Sequence, residues 1–264
     1  MKKSYRNNLN KLFIFKTADS FQIEAVFFRG NTLCISTQIG CPVGCKFCAS
    51  GNKGFFRNLT TEEIIAQYVI LKDLLEISGI AIAGIGEPSS NFKNVSNAIE
   101  FFKEKQLKVT ITTTGFDTEN FKNLLKTKHD GITLSIHGFT KDVRKKLFKK
   151  PFELKKTVAI FESHIKEITK TQRKKYQVGY LLLRDVNNHK EELLKLSDFT
   201  SKYNLTVMLM MYNKIDTGNF SPVSPKEYEE IFRFLRKKNI RVTLSNRFRT
   251  NSLGGCGTLT IDRK

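Results

Sequence analysis

No stretch of this chain approaches the roughly 18 uninterrupted apolar residues that a membrane-spanning helix needs. The opening Met1-Lys2-Lys3-Ser4-Tyr5-Arg6 runs into polar Asn and Lys rather than an apolar signal region, so a cytoplasmic location is expected. Internal repeats and low-complexity linkers are absent and proline occurs only five times, which argues against a repeat array or tethered modules. Acidic residues are scarce: 25 Asp and Glu stand against 45 Lys and Arg, giving a net charge of +20 and a pI near 9.8. The excess is concentrated, with thirteen basic residues to four acidic ones over 141–175 and nine to one over 233–264. Such a field favours a polyanion, so nucleic acid is the leading class of partner, with an anionic membrane surface behind it. Cysteines number five, and an odd count without a secretory signal argues against a disulfide framework and for metal or redox chemistry.

What is present is an alternation. Apolar, β-branched runs at 32–37, 79–83, 108–113, 132–136, 176–183, 206–211 and 241–244 read as strands. Between them lie helical periods at 61–75, 94–105, 119–127, 154–169, 190–203 and 225–238. In the first of these, Ile64, Ile65, Tyr68, Leu71 and Leu75 share a face, and Thr60 with Glu63 forms a capping box at its start. Strand then helix, repeated about six times, predicts an α/β fold of parallel strands joined by right-handed crossovers. Residues 21–28 add a strand that hairpins through Arg29-Gly30-Asn31 into the first parallel strand. With 264 residues, one domain is expected, comprising an extension over 1–30 and a core over 31–264. Functional residues in such folds sit at the carboxyl ends of strands.

Cys41, Cys45 and Cys48 place three thiols in a Gly- and Pro-containing loop directly after the strand at 32–37. Structural zinc wants four ligands, and neither the other two cysteines nor the four scattered histidines offer a partner at finger spacing. A 4Fe-4S cluster held by three cysteines leaves one iron open to a further ligand, which the compact, soft thiolate set favours. Zinc and unligated loop cysteines remain the alternatives.

C-x-x-x-C-x-x-C at this place in a repeating strand-helix chain resembles the radical S-adenosylmethionine (SAM) superfamily, whose fold is a partial (β/α)6 barrel. The continuation Gly51-Asn52-Lys53-Gly54-Phe55-Phe56-Arg57-Asn58-Leu59, with Glu63-Ile64 after it, is similar to a run of the RlmN/Cfr family. That family methylates an adenine ring carbon of 23S rRNA. Gly84-Ile85-Gly86-Glu87-Pro88 resembles the family's G-x-G-E-P block, and Gly255-Cys256-Gly257-Thr258-Leu259 its A-C-G-Q-L block. The resemblance spans about residues 24–259. It implies that Cys41, Cys45 and Cys48 hold a 4Fe-4S cluster, and that Gly86, Glu87, Thr112, Ser135, Ile136, His137 and Asn213 bind SAM, the Glu87 carboxylate receiving its ammonium. It further implies that Cys256 carries a methyl group to the adenine, that Cys34 releases the product through a disulfide with Cys256, and that Glu24 is an active-site glutamate.

Family members usually carry an N-terminal helical accessory domain. About twenty residues precede Glu24 here, so a short form with only a hairpin extension is expected. The partners implied are rRNA or tRNA and an external electron donor such as flavodoxin or ferredoxin, with no membrane and a monomeric state. Phosphate contacts are expected at Lys145, Lys146, Lys149 and Lys150 and at the Arg247/Arg249 pair, where the charge gathers. Two other functions stay open: a radical SAM enzyme with a non-RNA substrate, and a basic RNA-binding protein whose cysteines hold a structural metal.

Overall fold

A computed structural model describes residues 3–7, 9–216, 218–246, 248–251 and 253–263. Its strands are β1 (Lys3–Arg6), β2 (Asn10–Lys16), β3 (Gln22–Phe28), β4 (Thr32–Ile35), β5 (Gln38–Gly40), β6 (Phe55–Asn58), β7 (Gly79–Ile82), β8 (Lys108–Thr113), β9 (Gly131–Ser135), β10 (Tyr176–Leu182), β11 (Thr206–Met211) and β12 (Arg241–Leu244). The helices are α1 (Ala49–Asn52), α2 (Thr61–Val69), α3 (Phe92–Glu104), α4 (Thr118–Leu124), α5 (Lys141–Leu147), α6 (Leu154–Glu167), α7 (Lys170–Arg173), α8 (Lys190–Tyr203) and α9 (Pro225–Lys237).

One ten-stranded sheet runs in the order β1-β2-β3-β4-β7-β8-β9-β10-β11-β12, and β5 pairs with β6 outside it. From β4 onward every neighbour in that sheet is parallel. The expected partial barrel is therefore present, with β12 extending the six-stranded core by one edge. β3 pairs antiparallel with β4 as the hairpin predicts, but the extension is larger than a hairpin, because β2 and β1 continue the sheet antiparallel beyond β3. The chain at β2, Leu12-Phe13-Ile14-Phe15, is buried on both faces and shows no alternation.

Along the parallel strands the period of two separates two environments. Leu33, Ile80, Val109, Ile132, Val178 and Val207 are fully buried against the helix layer. Their neighbours Thr32, Gly79, Lys108, Thr133, Gln177 and Met208 face the other way and, with Thr243 of β12, line a single cavity of about 650 Å³. A flat sheet could not put residues from seven strands around one cavity, so the sheet is curled. Small and polar side chains on the inside leave the lumen open.

The capping boxes at Thr60/Glu63 and Ser224/Glu227 start α2 and α9 as the sequence pattern indicates. α2 ends at Val69, short of 75, yet Leu71 in the following turns is still fully buried. Among the described residues, no helix is long and apolar enough to cross a membrane.

Candidate active site

The three-cysteine loop leaves β5 and is held on two flanks. On one, Lys46 N donates to Leu147 O at 2.8 Å, Lys149 N donates to Gly44 O at 2.9 Å, and Cys45 bridges Phe148. On the other, Ala49 N donates to Gly257 O at 2.8 Å and Ser50 Oγ to Leu259 O at 2.7 Å. Two glycines permit this closeness. Gly40 has φ +76°, and a Cβ there would overlap Gly54 O; a Cβ on Gly51 would stand 2.7 Å from both the N and the O of Cys45.

Burial pushes the Cys41 and Cys45 thiols up, and each is pushed further by the charge of neighbouring cysteines. Two buried thiols whose ionised forms are disfavoured, in one loop with a third cysteine, fit a cationic group shared among the three. No three His, Cys, Asp or Glu side chains among the described residues converge as a single metal ion requires. A cubane asks for something different, one thiolate on each of three irons, so the donor set fits a 4Fe-4S cluster better than zinc.

Behind this loop lies a residue that the sequence did not single out. Arg144 on α5 is 5% exposed, has no carboxylate in ion-pair range among the described residues, and sits 4.9 Å and 4.5 Å from the ring centres of Phe148 and Phe152. It donates to Phe152 O at 2.8 Å and to Gly138 O at 3.5 Å. Burial lowers its pKa to about 10, against which the charge of Cys45 acts. Only the run of basic residues in α5 was visible beforehand, and it does not tell which of them turns inward.

The lumen brings Cys34 of β4, Cys48 of the loop and Cys256 to the wall of one cavity, together with Thr112 and Arg249. Cys34 is pushed up to about 12 by burial and by the charge of Cys256, with Arg249 acting the other way. Arg249 Nη1 donates to Cys256 Sγ at 3.4 Å. All five cysteines are free, so the Cys34–Cys256 disulfide is not a resident bond here.

Several expected cofactor residues have other occupations. Both oxygens of the Glu87 carboxylate, a 2% exposed residue, are engaged: Oε1 accepts from Ser89 N, Ser89 Oγ and Thr113 Oγ1, and Oε2 from Thr114 N and Thr114 Oγ1. The carboxylate therefore closes the turn after β7 onto the end of β8. Gly86, at φ +116°, packs against Thr37 and Gln38. Ile136 is fully buried in the main core, because it continues the outward set Ile132 and Leu134; only its backbone remains for a ligand. Ser135, one residue earlier, is on the inward set and half-buried. His137 accepts from Leu181 N through Nδ1 at 3.1 Å and meets the Phe47 ring edge-on, while no described protein atom bonds its Nε2.

Asn213 Nδ2 donates to Arg249 O at 2.7 Å and to Cys256 O at 2.9 Å, so this amide holds the Cys256 loop closed. Glu24, fully buried, accepts from Thr260 N at 2.9 Å and from Arg263 Nε and Nη2. It fastens the segment after Leu259 to β3 and does not line the cavity. Arg247 lies outside the described residues.

Known proteins agree with this geometry. The model of the radical SAM superfamily matches residues 35–197. A probable dual-specificity RNA methyltransferase RlmN of Clostridium beijerinckii is 31% identical over 97% of this chain and 75% of its own length. The protein of the same description from Carboxydothermus hydrogenoformans is 32% identical, with 97% and 78% covered. Among solved structures, a radical SAM methyltransferase from Sphaerobacter thermophilus superposes with a TM-score of 0.87 at 23% identity, covering 98% of this chain and 80% of that one. Streptococcus suis SuiB bound to S-adenosylmethionine superposes at 0.65 with 15% identity, covering 86% and 53%. A matched superfamily model over most of the chain, a shared curled sheet, and relatives at 30% identity or more over three quarters of their length establish that this chain belongs to the radical SAM superfamily and, within it, to the RlmN family.

Proposed function

We propose that this protein is a radical SAM RNA methyltransferase that places a methyl group on an adenine ring carbon of rRNA or tRNA by way of Cys256. The observation that carries this reading is the meeting of Cys34 and Cys256, from opposite ends of the sequence, in a cavity that also reaches the loop cysteine Cys48. Residues 31–264 form the catalytic core, and the strands of 1–30 extend its sheet.

Cys41, Cys45 and Cys48 would hold the 4Fe-4S cluster. SAM would lie towards the carboxyl ends of the strands, near the Gly86 turn, Thr112, Ser135, the Ile136 backbone and His137 Nε2. When bound, the cluster and SAM supply the electron, the methyl group and the hydrogen-abstracting fragment that an unreactive ring carbon demands. Cys256 accepts the methyl group as a thioether. Its sulfur then carries no charge, which removes the lesser of the two causes that raise the Cys34 thiol, while burial, the larger, stays. Attack of the Cys34 thiolate on the Cys256 sulfur would make the S–S bond and break the S–C bond to the RNA-linked carbon, whose electron pair then takes up a proton from solvent to complete the methyl group. Arg249 and Asn213 hold the Cys256 loop over the cavity throughout. RNA, an external electron donor, a monomeric state and a cytoplasmic location complete the reading.

The test is mass analysis of the Cys256 peptide after anaerobic incubation with SAM. S-methylcysteine is expected, with Cys34→Ala accumulating protein joined covalently to RNA. An unmodified Cys256, with product still formed by Cys256→Ala and Cys34→Ala, would overturn it.

A further inference from the structure

The two flanks of the cysteine loop differ in what they offer to the outside. The Ala49–Ser50 flank is covered by residues 257–259, which follow Cys256, and so belongs to the substrate side. The Gly44–Lys46 flank is covered by the end of α5, and that end is a lysine patch. Lys145, Lys146, Lys149 and Lys150 are exposed, and none pairs with a carboxylate among the described residues. Lys46 Nζ donates to Lys145 O at 3.0 Å and Lys149 Nζ to Asn52 O at 2.9 Å, so the patch is anchored to the loop.

From this placement we infer that the lysine patch at the end of α5 is the docking surface for an acidic one-electron carrier protein that reduces the cluster. The inference rests on the cluster assignment made above. Tunnelling falls off steeply with distance, so a donor must come close to the ligand-bearing backbone. Here one hydrogen bond, Lys46 N to Leu147 O, separates the lysine-bearing segment from the residue next to Cys45. The opposite flank is unavailable to a donor because the Cys256 loop lies on it. Electron-transfer encounters are small and weak, below about 1,200 Å² of buried surface, and draw their rate from charge steering, which a compact unpaired patch supplies. RNA is the competing polyanion, and its own footprint has a different place: the mouth of the lumen, where Arg249, Arg29 and the exposed Cys256 gather. The phosphate contacts expected at Lys145, Lys146, Lys149 and Lys150 are thereby reassigned to the donor, and one electron passes per encounter, the carrier being oxidised by one and the cluster reduced by one.

The experiment uses anaerobically purified protein with its cluster and chemically reduced flavodoxin, and follows the cluster absorbance by stopped flow. Lys145→Glu/Lys146→Glu/Lys150→Glu should slow reduction by flavodoxin about tenfold or more at low salt and flatten its salt dependence. Lys145→Gln/Lys146→Gln/Lys150→Gln should fall between it and wild type. A control triple on α9, Lys226→Glu/Lys237→Glu/Lys238→Glu, changes net charge equally and should slow reduction far less. Dithionite, a small reductant, should reduce all of them at the same rate, and RNA affinity should fall no further in the patch variant than in the control. Unchanged flavodoxin rates, equal losses in the two Glu triples, or a selective loss of RNA affinity would each overturn the assignment, the last by giving the patch to RNA. Iron and sulfide analysis keeps the two readings apart: a protein without a cluster overturns the functional reading and this one with it, whereas a normal cluster with an unaltered flavodoxin rate overturns this one alone.

Discussion

Acidification should weaken the fold in part through one buried imidazole, His137. His137 is 5% exposed, and its Nδ1 accepts the Leu181 amide, a bond that a protonated ring would turn into two opposed N–H groups. Burial, with the nearby Arg144 charge adding to it, lowers its pKa from the ordinary 6.5 to about 3. Between those values only the unfolded chain takes up the proton, so this contribution is complete above pH 6.5 and is lost as pH falls towards 3. Integrating from pH 7 to 5 gives a loss of about 1.9 kcal/mol from His137 alone. His129, lowered by burial to about 4, acts with the same sign. His137→Gln keeps an acceptor for the Leu181 amide and has no proton to gain. Urea midpoints measured from pH 7 to 5, on wild type and variant of matched iron content, should show a slope shallower in the variant by that amount. Parallel slopes would refute the reasoning, since they would mean that the folded protein binds the proton as readily as the unfolded chain.

Gly51→Ala should place a Cβ against Cys45, costing about 1–3 kcal/mol as overpacking and lowering the iron bound per chain; a variant with full iron and wild-type Tm would show that the α1 contact is slack. Asn213→Ala should free the Cys256 loop at a cost of about 1–2 kcal/mol in lost hydrogen bonds, seen as severalfold faster alkylation of Cys256 by iodoacetamide. An unaltered alkylation rate would mean that the amide does not close the loop.

Much of the barrel was legible because its strands obey one local rule. In β8, Lys108-Val109-Thr110-Ile111 alternates between lumen and helix layer, and the helix before it, α3, shows its own period. The same rule, applied to Ile132, Leu134 and Ile136, turns the Ile136 side chain outward into the core and leaves its backbone towards the lumen. Local patterning failed where packing is two-sided, as in β2, or where the element is short and polar, as in β5. The grouping of Cys41, Cys45 and Cys48 could be read from spacing because they share one loop. Glu87 and Glu24 could not, since what decides the fate of a carboxylate is which donors arrive from elsewhere: Thr113 and Thr114 from β8 in one case, Arg263 from 239 residues away in the other.

The fastening of the last described residues to the first few dozen sets an order of events for a chain made from its N-terminus. Asn7 bonds Asn251, Asn10 bonds Leu253, Glu24 bonds Arg263 and Lys53 bonds Asp262, contacts that span 209 to 244 residues. Closing such long loops is entropically expensive and contributes nothing until both partners exist. The cysteine loop and the early strands are therefore made well before Cys256, and the loop gains its contacts to Gly257 and Leu259 only once that later segment arrives. During synthesis the chain thus passes through a stage that has the three-cysteine loop but not yet Cys256, and the segment that brings Cys256 to the cavity wall is added after the strands that form that wall.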